Sequence, residues 1–164
     1  MTESLYDEAH ALVQLLKAQR MTLATAESCT GGLIAKLITD VPGSSAVLAG
    51  GVVSYTNEVK TRVLGVDSAI IERDTEVSHA CANAMADEVR RLMNTDCSVS
   101  TTGYAGPGGG TEKDPVGTVY LGVSTPTGSF SERFCAPAGT DRSGVREAAA
   151  CRAMELLMKA LKEV

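Results

Sequence analysis

The chain has few of the features that would mark a metal site, a disulfide scaffold or a nucleic-acid surface. Its five cysteines, Cys29, Cys81, Cys97, Cys135 and Cys151, are odd in number and widely spread, with no Cys-x-x-Cys pair. That excludes a disulfide framework and the usual structural zinc patterns. Only two histidines occur, His10 and His79, and no His, Cys and carboxylate group has ligand spacing, so neither a metal nor a cofactor is expected. Lysine and arginine total 15 against 20 acidic residues, a formal charge of -5. A surface built to neutralise many phosphates has the opposite balance, so no nucleic-acid partner is expected, although one bound phosphate is compatible with it. The opening stretch MTESLYDEAHALVQLLKAQR carries acids early and alternates apolar with polar positions. It reads as neither a signal peptide nor a membrane span, and with scattered thiols it suits the reducing cytosol, so the expectation is a cytoplasmic protein without a membrane partner. Repeats of fixed period and low-complexity linkers are also missing, which argues against a solenoid or a tethered module.

What is present fits one globular unit. With 164 residues, 44% hydrophobic and 21% charged, the chain is long enough for one core, and a single domain over 1–164 is expected. Leu5, Ala9, Leu12, Val13 and Leu16 recur at helical spacing, with Ser4 and Asp7 spaced as a capping box. MTLATAE then reads as a strand, Gly31-Gly32 as a turn, and LIAKLITD as a helix stopped by Pro42-Gly43. GGVVSYT is a second strand, followed by a short helix in EVKTRVLGV closed by Gly65. Ser78 caps a helix through Asn94, CSVSTTG is a buried strand, and YAGPGGGTEKDP is a loop. VGTVYLGVST and GSFSERFCAP form an antiparallel hairpin around Pro126-Thr127-Gly128. The chain closes with a helix over 141–164. Strands separated by helices, then a hairpin, predict an α/β fold of three layers, a mixed sheet covered on both faces. Apolar helix faces make a homo-oligomer the expected assembly.

Three segments could carry chemistry. The run AGPGGG at 105–110 does not open a helix, so it matches neither the P-loop nor the dinucleotide fingerprint. It reads either as a long turn needing positive φ or as a backbone wall close to a ligand. AESCTGG at 26–32 follows a strand and sets its glycines at a helix start, where N–H groups can meet an anion. Its Cys29 invites a thiol nucleophile, but neither histidine is aimed at the turn by any sequence feature. In VPGSSAVLAGGVVSYTNEVK, Ser44 and Ser45 follow a Pro-Gly turn, as helix caps or as reactive hydroxyls. Lys60 lies fifteen residues beyond Ser45, as a solvated charge or as the partner of a serine.

AESCTGGLIAKLITDVPGSS, GGVVSYTNEVKTRVLGV, VSHACANAMA, STTGYAGPGGGTEKDPVGTVYLGV and the late GTDR together resemble the CinA C-terminal domain family, which includes stand-alone nicotinamide-nucleotide amidohydrolases. The resemblance covers nearly the whole chain. It implies an α/β/α fold and hydrolysis of nicotinamide mononucleotide to nicotinic acid mononucleotide and ammonia. It carries the family's serine nucleophile onto Ser45 in GSS and its lysine base onto Lys60 in YTNEVK. Supporting polar positions fall on Tyr55, Thr102 and Arg142. Where the family usually has an aliphatic residue before AGP, this chain has Tyr104, a departure that bears on substrate preference.

On that reading Ser45 attacks the carboxamide, a partly neutral Lys60 takes its proton, and Tyr55 or Thr102 orients the pair. Arg142 suits the substrate phosphate, and Gly31, Gly32, Gly106, Gly108 and Gly109 let backbone approach the nucleotide. The rival reading is a nucleotide-binding or interaction domain, associated with competence or damage, that keeps the pocket without turnover.

Overall fold

The computed structural model describes residues 3–163. Helix α1 (Glu3–Gln19) turns Leu5, Ala9, Leu12, Val13 and Leu16 inward, as their spacing predicts. Ser4 lies inside its first turn rather than at a cap, since Glu3 is already helical. Strand β1 (Leu23–Glu27), helix α2 (Leu33–Thr39), a 3-10 turn (Ser44–Ala46) and strand β2 (Leu48–Val53) follow. Helix α3 (Asn57–Val59) runs into a wider π-helical turn (Lys60–Leu64), which Gly65 ends at φ 87. Then come α4 (Ser68–Asp74), α5 (His79–Met93), β3 (Cys97–Gly103), β4 (Thr118–Thr125), β5 (Gly128–Cys135) and α6 (Arg142–Lys162). Helix α5 has both expected ends: Ser78 Oγ accepts from Cys81 N at 3.1 Å, and Asn94 is left-handed at φ 51.

The five strands form one mixed sheet in the order β2-β1-β3-β4-β5. Strand β1 is parallel to both β2 and β3, while β4 and β5 add antiparallel pairs. Side chains alternate across β1, because successive Cβ atoms point to opposite faces. Leu23 joins Leu12, Leu16, Leu37, Ile38, Met154 and Leu157 beneath α1, α2 and α6. Ala24 and Ala26 face Leu64, Met85 and Val89 under α5. Each fully buried Leu contributes about 1.5–3 kcal/mol, so both faces need their helices and the three-layer α/β/α expectation holds. No helix among the described residues is long and apolar enough to cross a membrane.

From β1 the chain moves to β2 on one side, then crosses to β3 on the other. The carboxyl ends of β1, β2 and β3 therefore meet at a topological switch point, where open α/β sheets leave a crevice.

Candidate functional site

Lys60 is a buried lysine, with 1% of its surface exposed. Thr56 caps the short helix that carries it, accepting from Val59 N at 3.2 Å, and the π turn begins at Lys60 itself. Such widened turns are frequent at functional positions. Its Nζ donates to Ser28 Oγ at 3.0 Å, to Ser54 O at 3.0 Å and to Tyr55 O at 3.4 Å. All three partners are neutral, so nothing in contact compensates a buried charge. Burial lowers the pKa of Lys60 from 10.5, while Cys81 and then Glu76 pull the other way. An amine held this way can accept a proton from the hydroxyl beside it.

Ser28 is the first residue beyond β1, and its own N–H donates to Thr101 O of β3 at 2.9 Å. The chain then turns sharply into α2, with Gly31 N bonded to Ser28 O at 3.0 Å. Two groups fix this turn. Buried Glu27 accepts from Thr30 Oγ1 at 2.5 Å, Ile34 N at 3.0 Å and Ala35 N at 2.9 Å, so its carboxylate occupies the positive end of α2. From α6, Arg146 donates to Cys29 O at 3.1 Å and to Thr30 O at 3.0 Å. A serine at a fixed strand-to-helix turn, with a base in contact, has the layout of an activated nucleophile.

The pair opens into a cavity of about 420 Å³ lined also by Tyr55, Glu76, Thr102, Tyr104, Gly106, Gly108 and Arg142, within the size range of small-molecule sites. Arg142, on the first turn of α6, donates to Gly106 O at 2.6 Å and to Tyr55 Oη at 3.1 Å. It thus ties the loop after β3 to the segment after β2. Thr102 Oγ1 donates to Glu76 O at 2.6 Å, which fastens Glu76 at the wall. Burial raises the Tyr104 hydroxyl pKa, helped by Glu76 and Asp114.

The site therefore gathers Lys60, Tyr55, Thr102, Arg142, Gly106 and Gly108, but not every residue expected. Ser45 is the main correction. It sits exposed on the 3-10 turn before β2, at the end of the sheet where Leu23 N bonds Val47 O at 2.7 Å. Lys60 follows the opposite end. The six residues of β2, at about 3.3 Å each, put roughly 20 Å between them. The serine in contact with Lys60 is Ser28, next to Cys29 in the AESCTGG turn. Its position after a strand and before a glycine turn was the available signal.

Gly31, Gly32 and Gly109 are corrected as well, since none of them lines the cavity. Gly31 and Gly32 adopt φ 61 and 96 to make the turn, and a Cβ on Gly31 would stand 3.1 Å from Arg146 Nη2. The N–H groups at the start of α2 that were expected to meet an anion already meet Glu27. Gly109 lies against the Tyr104 ring. Cys29 does line the cavity, but burial pushes its thiol up to about 11, the reverse of thiolate activation. Both histidines are elsewhere: His10 lies on the outer part of α1 beside Tyr6, and His79 Nδ1 is 2.8 Å from Ser131 Oγ. Among the described residues one group of potential metal ligands converges, Glu8 with Cys151 and Glu155 across α1 and α6. Arg152 Nη1 already donates to that Glu155 at 2.9 Å, and the group is no part of the cavity.

Comparison with known proteins places this architecture among relatives. The model of the CinA C-terminal domain matches residues 6–161. A CinA-like protein of Myxococcus xanthus is 48% identical over 157 residues, 94% of this chain and 37% of its own length. A CinA-like protein of Synechocystis is 46% identical, over 90% of this chain and 36% of its own. The chain thus spans about a third of the length of the curated relatives it matches. Among solved structures, the competence/damage inducible protein CihA of Agrobacterium tumefaciens superposes with TM-score 0.93 at 34% identity, covering 99% of this chain and 98% of that one. A CinA superfamily protein of Klebsiella pneumoniae gives 0.92 at 29% identity, covering 98% and 99%.

Proposed function

The chain belongs to the CinA C-terminal domain family, and from that premise we propose that it is an amidohydrolase converting nicotinamide mononucleotide to nicotinic acid mononucleotide and ammonia. The observation that carries the reading is the buried Lys60 amine 3.0 Å from Ser28 Oγ at the cavity wall.

Amide hydrolysis is slow because water is a weak nucleophile and an amine a poor leaving group, and a covalent acyl-enzyme divides the difficulty. Ser28 Oγ attacks the carboxamide carbon while Lys60 Nζ takes the hydroxyl proton. Collapse of the tetrahedral adduct breaks the C–N bond, and the Lys60 ammonium returns the proton to the departing ammonia. Water, deprotonated by the same amine, then cleaves the ester, restores Ser28 and releases the carboxylate product. The N–H groups of Cys29 and Thr30, which meet no backbone carbonyl among the described residues, are the candidate donors to the oxyanion. Arg142 holds the remote phosphate through its always-charged, bidentate fork.

Ammonia release by purified protein, with mass change of the nucleotide, tests the assignment. Ser28→Ala lowers kcat by about 10²- to 10⁴-fold, the range for losing such chemistry. The Ser28→Ala, Lys60→Met double variant is little worse than the more damaged single one, because nucleophile and base act as a unit. Ser45→Ala keeps its turnover. Robust release by a folded Ser28→Ala protein sinks the dyad. One other reading, a nucleotide-binding or interaction domain without turnover, takes only its association with competence and damage from the names of the solved neighbours. That reading requires the wild-type protein to bind nucleotide yet release no ammonia.

A further inference from the structure

The cavity walls carry two opposite charges that the protein leaves unpaired. Neither the Glu76 carboxylate nor the Arg142 guanidinium takes part in an ion pair among the described residues, although both line the same cavity. Arg142 spends its donors on a carbonyl and a phenol, both neutral. Glu76 has its main chain fastened by Thr102 Oγ1 at 2.6 Å, and both Glu76 and the half-buried Tyr104 line the cavity, near enough that, after burial, the carboxylate raises the Tyr104 hydroxyl pKa. A site that holds a separated anion and cation is complementary to a ligand that is itself a zwitterion.

Glu76 is otherwise hard to account for. A lysine that must lose its proton is hindered by a carboxylate, and Glu76 does oppose the effect of burial on Lys60. The hindrance is removed if a positive charge arrives with the substrate. The cation then neutralises Glu76 and, standing near Lys60, disfavours the ammonium.

We propose that the Glu76 carboxylate, together with the face of the Tyr104 ring, receives the positively charged pyridinium of the substrate and makes this site selective for cationic aromatic carboxamides. The proposal rests on the amidohydrolase reading for the placement of the amide at Ser28. Carboxylate and aromatic face act together: the first supplies charge, the second a flat surface whose quadrupole also attracts a cation. The nucleotide lies with its ring charge toward Glu76 and its phosphate toward Arg142. Substrate charge thereby completes the conditions under which Lys60 acts as a base.

The test compares two ligands that differ in ring charge alone: nicotinamide mononucleotide and the phosphorylated C-riboside of benzamide, whose ring is neutral. Binding is measured by calorimetry on the wild-type, Glu76→Gln and Glu76→Asp proteins, with melting temperature as the check on folding. The wild type binds the pyridinium nucleotide on the order of 10- to 100-fold more tightly than its neutral isostere, as expected for one charge pair in a partly screened cavity. Glu76→Gln brings the two ligands within a few-fold of each other, by weakening the cation alone, and Glu76→Asp keeps part of the preference. An equal preference in wild type and Glu76→Gln, no preference in the wild type, or binding of neither ligand overturns the proposal. Ammonia release in parallel separates this idea from the one beneath it. A charge preference that Glu76→Gln abolishes, in a protein that releases no ammonia, leaves the Glu76 assignment standing and removes the amidase. Normal turnover with an unmoved ratio does the reverse.

Discussion

Replacing Lys60 by methionine removes the amine while keeping most of its length and bulk, so charge and packing are perturbed separately. Two effects on stability oppose each other. Ser54 O, Tyr55 O and Ser28 Oγ lose a donor, although Tyr55 O keeps Ser28 Oγ at 3.4 Å, and each buried acceptor left bare costs about 1–3 kcal/mol, less where cavity water reaches it. Against this, the buried ammonium disappears, and every unit by which Lys60 lies below 10.5 corresponds to at most about 1.4 kcal/mol. The two effects differ in their dependence on pH. With the native pKa lowered, the unfolded chain binds more protons than the native one between that lowered value and 10.5, so wild-type stability rises with pH through this window. The penalty is complete below the native pKa and gone above 10.5. Urea unfolding of both proteins at a series of pH values therefore shows the difference shifting in favour of the wild type as pH climbs toward 10.5, while other groups cancel. Wild-type kcat/KM, which reports the free enzyme, rises through the same lowered pKa, because only the neutral amine accepts the serine proton, and Lys60→Met loses about 10²- to 10⁴-fold. A stability difference that stays flat across the window refutes the claim that burial displaces Lys60.

Two further outcomes follow from the same geometry. Arg142→Ala raises KM for the nucleotide with kcat nearly preserved, since the guanidinium is assigned to the remote phosphate; steady-state kinetics check it, and a collapse of kcat at unchanged KM reassigns Arg142 to the reacting centre. Cys29→Ala keeps most turnover and costs some packing, because a thiol pushed up to about 11 is protonated at neutral pH; loss of ammonia release there, with Ser28→Ala active, moves the nucleophile to sulfur.

Local signals were legible where the backbone itself dictates them. Ser78 and Asn94 bound α5 as their capping chemistry predicts, Gly65 ends the π turn, and CSVSTTG forms β3 from Cys97 to Gly103. Helix α4 buries no residue and so carries no apolar stripe, unlike the equally short α2, although Asp67, accepting from Ala69 N at 2.9 Å, marks its start. The candidate site was half legible for a different reason. The resemblance, and not the spacing, put Ser45 with Lys60, yet β2 lies between them, so the two residues stand at opposite ends of that strand. Ser28 reaches Lys60 from 32 residues away because β1 and β2 run parallel as neighbours and end together. Strand order is a property of the packed sheet, and no local pattern near Ser28 or Lys60 encodes it. Glu76 likewise lies in the bend between α4 and α5, and only the packed sheet brings Thr102 of β3 to its carbonyl.

Helix α6 touches the site twice, with Arg142 at its first turn and Arg146 four residues on. One grips the cavity mouth; the other clasps the carbonyls just after Ser28. A helix rises about 1.5 Å per residue and keeps residues four apart on one side, so the span between these two grips is set by a rigid rod rather than by loops. If the phosphate docks at Arg142 and the amide at Ser28, α6 is a calliper of fixed opening. Substrates are then sorted by the distance between their ends, and an added or missing sugar unit is rejected by length before any chemistry begins.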